Sequence, residues 1–501
     1  MTPEALAIDG GQLAVSPPDD RGVHAFKGIP YARAPVGPLR WRPPEPPMAW
    51  PGVRRSDRFG PNSVQGIVFD DIDPRPAGIS EDCLYLNVWT PNLAPKTPAA
   101  VMFWIHGGGF VVGSGAEPRY DGTNLAARGI VVVTVNHRLN ALGFLALPEL
   151  TAEAPKRSSG NYGLLDLVAA LGWVLRNIRA FGGDLGQVTI AGESAGSRAV
   201  SALMAAPSAR DLFAGVIGES GAHFPLPLRA LPMLAEAEDG GLAFMRRAGA
   251  ASLAELRTLP AEAILAAAPG IGFEPIVDGH VLPEAPAAAF AAGRQADVPL
   301  LAGWNRDEGY NFTVMNGPGA DGYAGRVTGI FGDRAGEALT LYPGGGPEAD
   351  AAAARELGGD LVIDHPTWAW LEAHRETARS EVFRFCFARA PLVPPPPGGF
   401  RQRAGAFHAA EIVYVFETLG AVPWRMVEDD WRASALVAGY WVNFVRNGDP
   451  NGPGLPAWPS YRRGDDPVMI LDAVPRIAPD SRRDRHLFLA AVAEAREATG
   501  A

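Results

Sequence analysis

Val188-Thr189-Ile190-Ala191-Gly192-Glu193-Ser194-Ala195-Gly196 is the stretch that decides how this chain is read. Val188–Gly192 is a continuous apolar run, the pattern of a strand buried on both faces. A helical run, Ala199–Ala205, begins three residues beyond the last glycine. Between them sits Gly-Glu-Ser-Ala-Gly, in which small residues flank a serine at a strand-to-helix turn too tight for larger side chains. Such a turn exposes the Ser194 hydroxyl and aims the Ala195 N–H, at a helix N-terminus, toward a reacting oxygen. Ser194 is therefore the candidate nucleophile.

Working outward, Val101–His106 and Ile130–Asn136 are further strand-like runs. Leu164–Ala180 places apolar residues at helical spacing and is stopped by Gly182-Gly183. Strand, helix, strand in succession predicts a parallel sheet. The Ala-rich segment from Leu231 to Gly293 reads as short helices, a cap over a site, and Pro391–Gly399 as a loop. No repeat or heptad array appears, so residues 1–501 are taken as one catalytic domain.

His106-Gly107-Gly108-Gly109-Phe110 closes the first of those runs. Consecutive glycines leave backbone N–H groups open to an oxyanion, so Gly108, Gly109 and Ala195 are the candidate donors, each worth roughly 3 kcal/mol of barrier. A serine nucleophile needs an acid and then a base downstream. Asn305-Arg306-Asp307-Glu308-Gly309 follows the apolar run Pro299–Ala302, and by position alone Asp307 and Glu308 are equal candidates for the acid. Among the later histidines, His374 stands in a charged helical run and reads as solvated, and His486 lies among Arg and Asp and reads as exposed. His365 precedes a proline at a helix start. His408, in a loop entering an apolar segment, is the best base.

Composition narrows the alternatives. The 501 residues are 47% hydrophobic and 20% charged, which excludes bulk disorder. A net charge of −11 without a basic run argues against nucleic acid or an anionic membrane as partner. Lys27, Lys96 and Lys156 are the lysines, none in a phosphate-binding loop. Cys83 and Cys386 are the only cysteines, too few for structural zinc, an iron–sulfur cluster or a disulfide scaffold. No basic, apolar leader opens the chain, and no apolar run approaches the ~18 residues of a membrane helix. These features predict a cytoplasmic protein that needs no metal and no cofactor. Asn311-Phe312-Thr313 fits a glycosylation triplet, of a kind that arises by chance.

The chain resembles the type-B carboxylesterase family, which includes bacterial para-nitrobenzyl esterases, animal carboxylesterases and cholinesterases. The resemblance runs through Phe26–Ala32, Glu81–Val88, Asn136-His137-Arg138-Leu139, Gly160–Asp166, Phe181–Asp184, Gly192–Gly196, Asn305–Gly309 and Gly448–Asn451. It implies an α/β-hydrolase fold: a central, mostly parallel sheet flanked by helices, with helical cap-like insertions. It implies a small-molecule ester as substrate and carries Ser194, Glu308 and His408 over as nucleophile, acid and base, which settles the choice between Asp307 and Glu308. Glu193 and Ser220 match family positions near that triad. Ile271 and Phe273 fall where the family shapes its acyl pocket, and the glycines around them leave room for chains longer than acetyl. The family cysteine that often pairs with Cys83 is missing, so Cys83 is expected to be a buried free thiol. The loop before it has no tryptophan, Phe69 being its only aromatic, which disfavours choline esters. The same machinery could cleave amides, lactones or polyesters, and the fold also hosts adhesion proteins, which typically lack a triad residue.

Overall fold

In the computed structural model, residues 4–66, 78–310, 322–394, 404–462 and 466–499 are described. Asn311, Phe69 and residues 395–399 of the proline-rich loop lie outside them. The strands among these residues are β1 (Ala5–Ile8), β2 (Gly11–Ala14), β3 (His24–Pro30), β4 (Val53–Arg54), β5 (Tyr85–Thr90), β6 (Ala99–Ile105), β7 (Val131–Val135), β8 (Gly183–Glu193), β9 (Gly215–Glu219), β10 (Leu300–Asn305), β11 (Val382–Phe387), β12 (Pro467–Leu471) and β13 (Arg476–Pro479). The three short strands β1, β2 and β4 form a small sheet, and the other ten form one large sheet in the order β13-β12-β11-β10-β9-β8-β6-β7-β5-β3. From β7 across to β12 neighbouring strands run parallel. The edges, β5 with β3 and β12 with β13, are antiparallel.

The central strands are buried on both faces, which explains their unbroken apolar runs. Val101, Phe103 and Ile105 of β6 enter the core on one face, while Met102 and Trp104 enter the core on the other. This is the two-residue alternation of a strand expressed between two covering layers. The helix Tyr162–Asn177 covers the first face through Leu164, Leu167, Leu171 and Val174. Its 3-10 extension, Ile178–Phe181, ends at Gly182, whose φ of 77° is the left-handed conformation that closes a helix. The helix Glu428–Asn447 covers the second face through Val437, Trp441 and Phe444.

The Leu231–Gly293 region holds the short helices Leu234–Arg247, Leu253–Thr258, Ala261–Ala267 and Pro286–Ala291. Buried ion pairs fix the long connections. Arg138 donates from Nε and Nη2 to the two oxygens of Asp166, at 2.8 and 2.7 Å, and from Nη1 to the Arg42 carbonyl. Two thiols are free, and Cys83 is buried, as expected. No helix among the described residues is long and apolar enough to cross a membrane.

Candidate active site

Ser194 stands immediately beyond β8, which lies near the middle of the sheet between β6 and β9. Its φ of 55° is a strained conformation for a residue with a side chain, costing of order 1–3 kcal/mol. The flanking glycines are required by contact. A Cβ on Gly192 would come 2.6 Å from the Gly196 carbonyl carbon, and one on Gly196 would collide with the Ile105 carbonyl of β6. The Ser194 N–H donates to the Glu219 carbonyl at 2.8 Å, and its own carbonyl accepts from Arg198, so the turn is locked to β9 and to the helix Ala195–Ala205.

The structure brings three side chains into one hydrogen-bonded line. Ser194 Oγ lies 2.9 Å from His408 Nε2, and His408 Nδ1 lies 2.6 Å from Glu308 Oε2. Glu308 begins a 3-10 turn directly after β10, and its second oxygen accepts from the Asn305 N–H at 2.8 Å. Asp307 turns the other way: its Oδ2 accepts from Ala406 N at 2.7 Å, and its N–H donates to the Ala406 carbonyl. Adjacent carboxylates thus divide two tasks, one meeting His408 and one tying the two loops together. Gly405 is needed there, since a Cβ would run into the Asp307 carboxylate.

The Gly107–Gly109 loop lies against the nucleophile. A Cβ on Gly107 would stand 2.5 Å from Glu193 Oε2 and 3.2 Å from Ser194 Cβ. Gly108 and Gly109 have φ of 107° and 65°, which favour glycine. The Gly108 carbonyl accepts from Val111 and Val112, while no loop carbonyl among the described residues accepts from Gly108, Gly109 or Ala195.

Beneath the line lies a set of buried acids. Glu193 Oε1 is 3.2 Å from His408 Nε2. Glu411 accepts from Asn305, and Glu219 accepts from Trp441 Nε1 at 2.8 Å. Ser220, completely buried, has no hydrogen-bond partner for its hydroxyl among the described residues. Burial raises the pKa of Glu193 to about 8 and of Glu411 to about 7, and holds Glu219 well above the usual carboxylate range. Burial pulls the His408 imidazole down, but the Glu308, Glu193 and Glu411 carboxylates outweigh it and raise its pKa to about 10.

Glu411, Glu219 and Asn305 escaped the sequence reading. Two signals were available: Glu411 stands three residues after His408, and Gly218-Glu219-Ser220-Gly221 echoes Gly192-Glu193-Ser194-Ala195. The reading of two other histidines is corrected. His374 is fully buried, with Nε2 3.0 Å from the Val298 carbonyl, because Trp370 and Leu371 share its inward side of the helix. His486 is also fully buried, its ring stacked 5.3 Å from Trp368. His365 does begin a helix, His365–Thr377. Of the two acyl-pocket candidates, Phe273 packs edge-on against Phe244 in the core, and Ile271 is only half-buried.

The profile of the carboxylesterase family matches residues 7–328 and 338–488. Fumonisin B1 esterase of Sphingopyxis macrogoltabida is 39% identical over 467 residues, covering 88% of this chain and 82% of that one. Para-nitrobenzyl esterase of Bacillus subtilis is 35% identical over 504 residues, 94% of this chain and 96% of that one. A solved para-nitrobenzyl esterase structure superposes with a TM-score of 0.84 at 33% identity, covering 97% of this chain and 99% of its own. A carboxylesterase structure from Geobacillus stearothermophilus gives 0.83 at 34%, covering 96% and 99%. The chain therefore belongs to the carboxylesterase family, with its α/β-hydrolase fold, and is an enzyme that hydrolyses carboxylic esters.

Proposed function

We propose that Ser194, His408 and Glu308 carry out this hydrolysis through a covalent acyl-enzyme. The observation that carries the proposal is the continuous line from Ser194 Oγ through both His408 nitrogens to Glu308. His408 Nε2 takes the serine proton as Oγ attacks the ester carbonyl carbon, and the tetrahedral oxyanion is held by the N–H groups of Gly108, Gly109 and Ala195. The C–O bond to the alcohol then breaks, and His408 returns the proton to the leaving oxygen. Water, deprotonated by the same nitrogen, next cleaves the acyl-enzyme. Glu308 fixes the imidazole tautomer and stabilises the imidazolium, and it is itself fixed by the Asn305 N–H. Glu193 acts on this line through His408 Nε2, Ser220 supports it through its own turn, tied by its N–H to the Gly303 carbonyl, and Ile271 and Phe273 border the acyl pocket.

In this reading the chain is one catalytic unit using no metal or cofactor and no nucleic-acid or membrane partner. Its two free thiols suit the cytoplasm. The test is an assay of para-nitrophenyl esters of increasing acyl length beside a para-nitroanilide, with and without a chelator. Ester turnover insensitive to chelator and abolished in Ser194→Ala is expected. Turnover that survives this substitution would overturn the assignment.

A further inference from the structure

Helix Ala195–Ala205 is buried at every position except Arg198. Over the wholly described stretch from Val188 to Ala206, Ser194 and Arg198 are the only residues that are not buried. They stand four residues apart, Ser194 just before the helix and Arg198 within its first turn, which is a rise of ~6 Å along the axis. The Arg198 stem packs against Gly221 together with the backbone of the nucleophile's turn: an ideal Cβ on Gly221 would lie 2.6 Å from the Ser194 carbonyl oxygen and 3.4 Å from Arg198 Cγ. Its guanidinium sits 5.4 Å from the ring centre of Phe110, the residue that follows the Gly107–Gly109 loop.

The charge there is unbalanced. Arg198 and Arg229 both pair with the single carboxylate of Glu274, which lies just beyond Ile271 and Phe273, and Glu236 adds negative charge only near Arg229. His223 Nδ1 is 3.4 Å from Arg198 Nη2, and burial together with the two arginines keeps that imidazole neutral. The His223 Nε2 is buried without a partner among the described residues. Burial lowers the Arg198 pKa only to about 10, so it is charged at neutral pH. A charged arginine whose side chain is 27% exposed, one turn from the nucleophile in a chain of net charge −11, is placed to recognise an anion rather than to solubilise a surface.

We propose that Arg198, with Arg229 behind it, forms a carboxylate subsite on the acyl side, and that the preferred substrates are half-esters of short dicarboxylic acids. The proposal rests on Ser194 as nucleophile. The distal carboxylate of the acyl chain takes a charge-assisted bond from Arg198 in competition with Glu274. One water is consumed, the acyl C–O bond breaks, and the products are the alcohol and a free dicarboxylate.

The test compares mono-(4-nitrophenyl) glutarate with 4-nitrophenyl butyrate on the wild-type protein and on Arg198→Met/Glu274→Gln, which removes both charges and leaves no orphaned carboxylate in the core. Wild-type kcat/KM should favour the glutarate ester by at least about tenfold, and the double variant should lose at least about tenfold of that preference. Arg229→Ala, at an exposed site, should lose part of it. A wild-type ratio below one, or an unchanged ratio in a folded double variant, overturns the proposal. Binding is read separately by titrating glutarate into Ser194→Ala protein calorimetrically, with and without Arg198→Met. Binding that depends on Arg198 supports the subsite even if neither ester is hydrolysed, a result that would count against the Ser194 mechanism alone.

Discussion

Ser194 and Ser220 occupy equivalent places at the ends of adjacent parallel strands, with φ angles of 55° and 54°. Each follows a Gly-Glu pair, and the register sets Glu193 opposite Glu219. Their surroundings then diverge: the Ser194 hydroxyl meets His408 at 2.9 Å, while Ser220 is completely buried. Ser194→Ala should therefore lower kcat at least ~10³-fold with the fold intact. An organophosphate should label Ser194 and leave Ser220 untouched, as peptide mass mapping would show. A label on Ser220 would reverse the roles given to the two turns.

The pH profile should betray the buried acids. His408 works as a base when neutral, so kcat/KM rises as pH rises through its pKa. The surrounding carboxylates raise that pKa, so the acid limb should lie above the ordinary histidine value of about 6.5. Glu193→Gln removes one of these carboxylates and should move the limb to lower pH. A limb that stays in place in this variant would mean that Glu193 does not act on His408 electrostatically.

Acyl preference offers a third prediction. Each buried methylene is worth ~0.8 kcal/mol, about fourfold in kcat/KM. Among neutral esters, butyryl should exceed acetyl by roughly tenfold, and Ile271→Phe should remove much of that gain. An unaltered chain-length profile would place Ile271 away from the acyl group.

The loop bearing Glu308 is pressed against the helix Pro347–Gly359. A Cβ on Gly359 would lie 3.2 Å from Glu308 Cβ, and one on Gly309 would overlap the Arg355 carbonyl. Gly309→Ala should push the two apart and shift Glu308 from His408. A displacement near 1 Å costs ~10²-fold in kcat. KM should change little, and an undisturbed kcat would show that the loop absorbs the methyl group elsewhere.

Breaking the Arg138–Asp166 pair should act on stability instead. Arg138→Met leaves Asp166 buried without its partner, a loss of about 3–5 kcal/mol. The expected reading is a lowered Tm, and an unshifted Tm would show that Asp166 finds another partner.

Sequence revealed what depends on local pattern. The strand before Ser194, its flanking glycines and the helix after it are fixed by contacts within a few residues, so the pattern alone exposes them. Position could not separate Asp307 from Glu308, because their opposite orientations are imposed by Ala406 and His408, about 100 residues away. His374 and His486 misled for the same reason. Their neighbours in sequence are charged, while aromatic rings that pack on them come from other elements. Arg198 drew no notice beside Ser194, since nothing in its local pattern tells that the rest of its helix is buried.

The line from Ser194 to Glu308 is assembled from distant parts of the chain, 214 residues separating the serine from the histidine and 100 the histidine from the glutamate. Closing loops of that length is entropically costly and slow compared with forming a helix. Enzymatic turnover is therefore a late-ringing clock for self-assembly. On dilution from denaturant, the far-ultraviolet signal of the helices should return well before ester cleavage does, and the lag times the closing of the sheet from β8 to β11.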